Sequence, residues 1–320
     1  MRMSGALVMF VVSTIAAVSC SDANPSTAEA GAPDASAPDV GKDTGTQSYD
    51  ASDASNGAWP GPNNTGVPTG TTLTDYTGPC TITVDNTVID CKTVNCDLNV
   101  RATGVVITKS LIKGNLNTDE VQPGSFSVTD SEITAGMGVK NLTALRVNVH
   151  GGDPNVYCFY NCDIRESWIH SPEYPADNPQ AHLGSFLAND NGPDGNTTGV
   201  TLIHNTFHCD TPQNPPDGGC SGDVNLFGDF GPITYVTIDH NFLRGSNDIS
   251  YCFYGGDSST KTYPYADHVV FTNNVFERSP TGSCGAYGPV TGFGTSPTNN
   301  PGNVWQNNSF DDATTVPPED

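Results

Sequence analysis

The chain of 320 residues sets 35 acidic side chains against 12 basic ones, a formal charge of -23 at pH 7, and includes 10 cysteines. That balance excludes nucleic acid and anionic membrane faces as partners, because the summed field repels polyanions. With 35% hydrophobic residues there is enough apolar side chain for a packed body, provided it is concentrated in part of the chain.

Met1-Arg2-Met3 precede an apolar run from Ala6 to Val18, which Ser19-Cys20 closes. A charged start, a short apolar core and small residues at its end describe a secretory signal over 1-19. The run is too short for a permanent membrane span. It resembles a bacterial lipoprotein signal, with Ala17 where that family usually has Leu. The resemblance implies Cys20 as the lipidated first residue of the mature chain, the alternative being an ordinary signal cut near Ser19. Ser21 stands where an Asp would retain such a lipoprotein in the inner membrane. The implied location is therefore exported and lipid-anchored at the outer membrane or cell surface, touching the membrane only through the lipid.

Residues 20-56 are Ala, Pro, Ser, Asp and Gly with almost nothing large and apolar, a composition that cannot offset the entropy of ordering and reads as a flexible tether. The tether holds seven of the acidic residues and one Lys, and Arg2 belongs to the leader. The body at 57-320 keeps 28 acidic and 10 basic residues, a net charge of -18.

Within the body a strand phrase recurs: Val105-Val-Ile-Thr-Lys-Ser-Leu-Ile-Lys113, Phe126-Ser-Val-Thr-Asp-Ser-Glu-Ile-Thr134 and Cys162-Asp-Ile-Arg-Glu-Ser-Trp-Ile-His170. Later copies start at Val200, Val236, Val269 and Asn303, and a degenerate one runs from Leu142 to His150. Period-2 alternation on both sides of a polar corner means strand, turn, strand with one face buried. The corners are Ser110, Ser131, Val147, Ser167, Asn205, Asn241, Asn274 and Asn308, first 16 to 21 residues apart and later 33 to 38. A unit that cannot bury its apolar face alone, repeated at such periods, stacks into a solenoid. Asn suits the corner because its amide can bond its copy one coil away.

The long late periods each hold a second apolar phrase, with Phe186, Phe227, Phe253 and Phe293 expected as an inward aromatic stack. The surplus residues, around 171-183, 211-222, 257-267 and 279-289, are expected as loops on one side of the solenoid. Cysteines of an exported chain should be mostly paired. Spacing suggests Cys158 with Cys162, Cys209 with Cys220 and Cys252 with Cys284, and no Cys-x2-Cys pair supports zinc. Aligning Cys80-Thr-Ile-Thr-Val84 with Cys96-Asp-Leu-Asn-Val100 puts Cys80 one coil from Cys96, which leaves Cys91 odd.

These residues resemble the right-handed parallel β-helix superfamily that includes pectate lyases. More narrowly, Gly61-Pro-Asn-Asn-Thr-Gly-Val-Pro68, Tyr76-Thr-Gly-Pro-Cys80, Tyr251-Cys-Phe-Tyr-Gly-Gly256 and Tyr287-Gly-Pro-Val290 resemble exported bacterial β-helix repeat proteins. The resemblance spans roughly 58-312. It implies an all-β, single-stranded, right-handed parallel β-helix of about nine coils at 57-320, a monomer whose partner is a polysaccharide. Many members of that group carry a His-x-Asp-Gly-x-Gln phrase on the second sheet. The chain has Ala181-His-Leu-Gly-Ser-Phe-Leu187 there, so only His182 has a counterpart.

The ninth residue of each phrase points outward, and stacking lines up Lys113, Thr134, His150, His170, His208, Arg244, Glu277 and Asp311. His170, His208 and Arg244, with His182, are the candidate acid-base and charge-stabilising set, and His150 a substrate contact. Alternatively His150, His170 and His208 hold a metal, or the column is polar only because it faces water. Tyr254, Lys261, Tyr263, Tyr265 and Tyr287 gather on late loops and suit sugar rings, whose C-H faces pack on aromatics, or else they anchor the loops. In lyases of the resembled fold carboxylates bind calcium, which makes Asp217, Asp223, Asp248 and Asp257 candidate ligands, or else turn formers. No Gly-x-Ser-x-Gly elbow, phosphate-cradling glycine loop or catalytic Cys-His signature occurs. Two functions follow: a polysaccharide lyase or glycosidase, or a non-catalytic glycan-binding, adhesive or structural surface module.

Overall fold

The computed structural model describes residues 58-122, 124-189, 199-280 and 282-319. The leader, the tether and Cys20 lie outside them. No helix occurs among the described residues, and every pairing between named strands is parallel.

Most coils contribute three short strands, two contribute a ten-residue strand that serves two ladders, and each strand stacks on its counterparts in neighbouring coils. The first ladder runs Thr81–Ile82, Leu98–Val100, Asn115–Thr118, Gly136–Leu145, Val156–Arg165, His182–Ala188, Gly219–Leu226, Tyr251–Gly255 and Gly288–Thr291. The second runs Val88–Asp90, Val105–Thr108 and Phe126–Thr129, passes through the far halves of Gly136–Leu145 and Val156–Arg165, and ends with Val200–Ile203, Thr234–Asp239, Asp267–Thr272 and Val304–Gln306. The third has ten rungs, from Thr74–Asp75 to Ser309–Phe310. Nine rungs in two ladders and ten in the third agree with about nine coils, and the chain is a parallel β-helix solenoid.

The recurring phrase is the passage from the second ladder to the third. Val88 pairs with Val106 and Val94 with Ile112, so Val88–Val94 is a further copy that the sequence conceals, with Lys92 at its corner. The corner side chains form a buried file. Ser110 Oγ accepts the Lys92 N-H at 3.0 Å, and Ser131 Oγ accepts that of Ser110 at 3.0 Å. Further along, Asn205, Asn241, Asn274 and Asn308 Oδ1 accept the N-H of Ser167, Asn205, Asn241 and Asn274 at 2.9 to 3.0 Å. Their Nδ2 groups donate to carbonyls on the second ladder at 2.9 Å.

The residue before each corner turns the chain in the left-handed region. Cys91, Lys109, Asp130, Arg146, Glu166, His204, His240, Asn273 and Asn307 all have φ between 46 and 56°. Side chains with a Cβ pay about 1–2 kcal/mol there, more than the extra chain entropy of glycine. Lys109, half-exposed, is therefore expected to become more stable by about 0.5 kcal/mol as Lys109→Gly, read as a higher denaturant midpoint; an unchanged or lower midpoint would refute the cost assigned to this turn.

Inside, the register of the first ladder stacks Val156, Phe186, Val224, Phe253 and Val290 in one file, all fully buried. The expected aromatic stack is corrected in two places. Phe227 follows the strand that ends at Leu226 and is only half-buried, and Phe293 is buried beyond Gly288–Thr291, because Val224 and Val290 are the residues in register with Phe186 and Phe253.

The loops too are corrected. Those at 171-181, 209-218, 244-250 and 277-287 join the third ladder to the first, whereas those at 227-233, 256-266 and 292-303 join the first to the second. They thus form two walls on either side of the first ladder. Disulfides Cys80–Cys96, Cys158–Cys162, Cys209–Cys220 and Cys252–Cys284 are all present. Cys91, expected to be left odd, is disulfide-bonded as well.

The segment entering the body runs back along the corner between the second and third ladders. Trp59 packs on His204, His240 and Phe242 with ring centroids 5.3 Å away in each case, and Gly66 N-H bonds the Arg146 carbonyl at 3.0 Å before Thr74 begins the first coil. That corner lies opposite the first ladder in a three-sided coil.

Candidate functional site

The outward face of the first ladder, late in the solenoid, is the floor of a trough between the two walls. Each wall is tied loop to loop. Tyr174 Oη donates to the Pro212 carbonyl at 2.9 Å and Asn214 Nδ2 to that of Pro179 at 2.6 Å. On the other side Tyr263 N-H reaches Gly228 O at 2.8 Å, and Asn300 Nδ2 bridges both Asp257 oxygens at 2.8 Å. Long connections repeated in successive coils thus become rigid rims rather than loose excursions.

Three depressions of about 560, 270 and 190 Å³ adjoin along this floor, and His182 and Ser221 line all three. His182 Nε2 lies 3.3 Å from Asp217 Oδ2, both side chains being mostly exposed. Asp153 lines the smallest depression; burial pushes its carboxyl up to about 6, against the opposing pull of His182. A group poised there exchanges protons near neutral pH, as a general acid or base must.

A row of rings crosses the trough. Phe227 meets Tyr254 edge-on at 5.3 Å, Tyr254 meets Tyr251 at 5.4 Å, and Tyr251 meets Tyr287 at 5.9 Å. Tyr287 is 74% exposed, and burial raises the Tyr254 phenol above its ordinary range. Lys261 Nζ sits 4.7 Å from the centre of the Phe227 ring and 2.7 Å from Asp229. Beneath the rings, Asn225 is 2% exposed and donates to the carbonyls of Phe186 and Gly222, while its Oδ1 has no protein partner.

No family model, no curated protein and no solved structure matches the chain. Its chemistry must be read from its own side chains.

The structure divides the candidates predicted from the sequence between two faces. His182, Tyr254, Lys261 and Tyr287 share the trough. His150, His170 and His208 are in register on the third ladder, where each is engaged. His150 bonds Glu132 at 3.0 Å, and His170 bonds Asn148 and Ser171 at 2.9 and 2.8 Å while Trp168 stacks on its ring. Arg244 holds both oxygens of Glu277. Burial, and then His150 beside it, depresses His170 to about 4, and burial likewise lowers His208. His150 and His170 also stack on one another at 5.4 Å, so on that face the rings are tied to each other and to polar neighbours.

The acidic candidates are scattered. Asp217 and Asp248 line the trough. Asp257 is used by Asn300 and the Ala266 N-H, and Asp223 is wholly inside the solenoid, accepting the Cys209 N-H at 2.7 Å. These four carboxylates therefore do not converge on one point as calcium ligands would. Sequence reasoning passed over Asp153, Ser221 and Asn225 and turned Phe227 inward. Asp153 and Ser221 sit on separate coils with no repeat phrase around them, so only the stacking reveals that they meet His182.

Proposed function

We propose that the trough binds a polysaccharide chain and that Asp153 and His182 act on it as a proton-transfer pair, in a lyase- or glycosidase-like reaction of an exported surface protein. The observation that carries this reading is the open aromatic row of Phe227, Tyr254, Tyr251 and Tyr287 across the floor of a walled groove. Sugar C-H faces pack on such rings while their hydroxyls seek polar neighbours, here His182, Ser221 and Asp248. The resemblance of the repeats to pectate-lyase-like β-helices supports it by analogy, and four disulfides suit an oxidising, extracellular setting.

The test is a panel of oligosaccharides incubated with the full chain, following binding, new reducing ends and the ultraviolet absorbance of unsaturated products. His182→Ala is expected to lower product formation by about 10²-fold or more with binding retained. If Asp153 donates its proton to the leaving oxygen, turnover falls as pH rises through about 6, where that carboxyl ionises. Binding to the wild-type chain with no product from any glycan would make the protein a glycan-binding module instead. No binding would sink the proposal.

A further inference from the structure

We infer that the glycan taken by the trough is cationic, a polymer of amino sugars bearing free amines. The inference rests on the proposed glycan-binding function and deepens it.

The charges that line the trough carry it. Asp153, Asp217 and Asp248 are there with no Lys or Arg bonded to any of them among the described residues, and Lys261 is the one Lys or Arg along the three depressions. Its ammonium is already spent on Asp229, at 2.7 Å, and on the face of Phe227. A uronate entering here meets carboxylates and no free cation, in the field of a body whose net charge is -18. An ammonium on the sugar meets the opposite situation. Asp217, its side chain 75% exposed, stands at the rim, and ring faces nearby attract cations as well as C-H groups.

A second feature points the same way. Asn225 Oδ1, almost wholly buried at the floor, accepts no hydrogen bond from the protein, although its Nδ2 is doubly used. An acceptor left open beneath a carboxylate-lined groove suits a donor-rich ligand, and an amine brings three N-H groups where a carboxylate brings none. Burial raises the Asp153 carboxyl, and an ammonium beside it would favour its charged form, adding to the pull of His182.

The experiment measures affinity of the full chain for equal-length oligomers of glucosamine, N-acetylglucosamine, glucose and galacturonate. Glucosamine oligomers are expected to bind about fivefold or more tightly than the uncharged ones, with the margin lost in high salt and in the double variant Asp217→Asn, Asp248→Asn. Neutral or acetylated oligomers binding as well as glucosamine, or galacturonate binding best, would overturn the inference and leave the groove a glycan site. Failure of every oligomer to bind would remove both readings.

Discussion

Asn241→Ala is expected to lower the unfolding free energy by about 3 kcal/mol, measured by denaturant titration. Asn241 is fully buried at the corner between the second and third ladders. Its Oδ1 accepts both the N-H and the Nδ2 of Asn205, at 2.9 and 3.0 Å, and its Nδ2 donates to the carbonyls of Leu202 and Asp239, at 2.9 and 3.1 Å. Alanine leaves the Asn205 N-H and the Leu202 carbonyl in a dry corner, each costing about 1–3 kcal/mol when unpaired. Because the file is continuous from Ser167 to Asn308, no neighbour can turn to fill the gap without abandoning its own partner. Asn241→Ser is the informative comparison. Ser110 and Ser131 perform the acceptor half of this duty in the early coils, so serine is expected to recover about half of the loss. Equal, small losses for both variants would mean that the corner file does not hold the coils in register.

How much of this was legible in the residues follows from what repeats. Val-x-Ile around a Ser or Asn corner recurs often enough to disclose the ladders, their parallel pairing and the Cys80–Cys96 bond, because one coil predicts the next. Where a coil departs from the phrase the reading fails. Lys92 at a corner hid the Val88–Val94 rung, and the place of Phe227 one residue beyond a strand passed for an inward position. The loops show a related limit: the period between corners gives the number of extra residues in a coil but not which of its other two bends takes them. That ambiguity matters, since two walls enclose a groove and one does not. His182 emerged through its resemblance to a repeat-family histidine. Asp153, which shares its trough, lies before a proline in a coil with no insertion beside it and carries no such mark.

Asp223 sets up the second large effect. Its carboxyl is fully buried, with Oδ1 on the Cys209 N-H and Oδ2 without a partner. Burial pushes it well above the usual carboxylate range; the Cys209 N-H is the main opposing pull, and the charges of Asp210 and Glu277 raise it further while Arg244 lowers it. Between its ordinary pKa and this raised one the folded chain holds a proton that the unfolded chain has lost. Stability supplied by the neutral form is therefore present at low pH and drains away as pH rises, by about 1.4 kcal/mol per unit, until the folded pKa is passed. Asn in its place keeps the acceptor for Cys209 and has no proton to lose. Asp223→Asn is accordingly expected to match the native chain near pH 4 and to exceed it progressively towards neutral pH. Asp153, raised to about 6, titrates in both proteins and cancels in the difference. Stability curves of the two chains that run parallel across this range would show that Asp223 is charged when folded, with a counter-charge or water inside the solenoid to hold it.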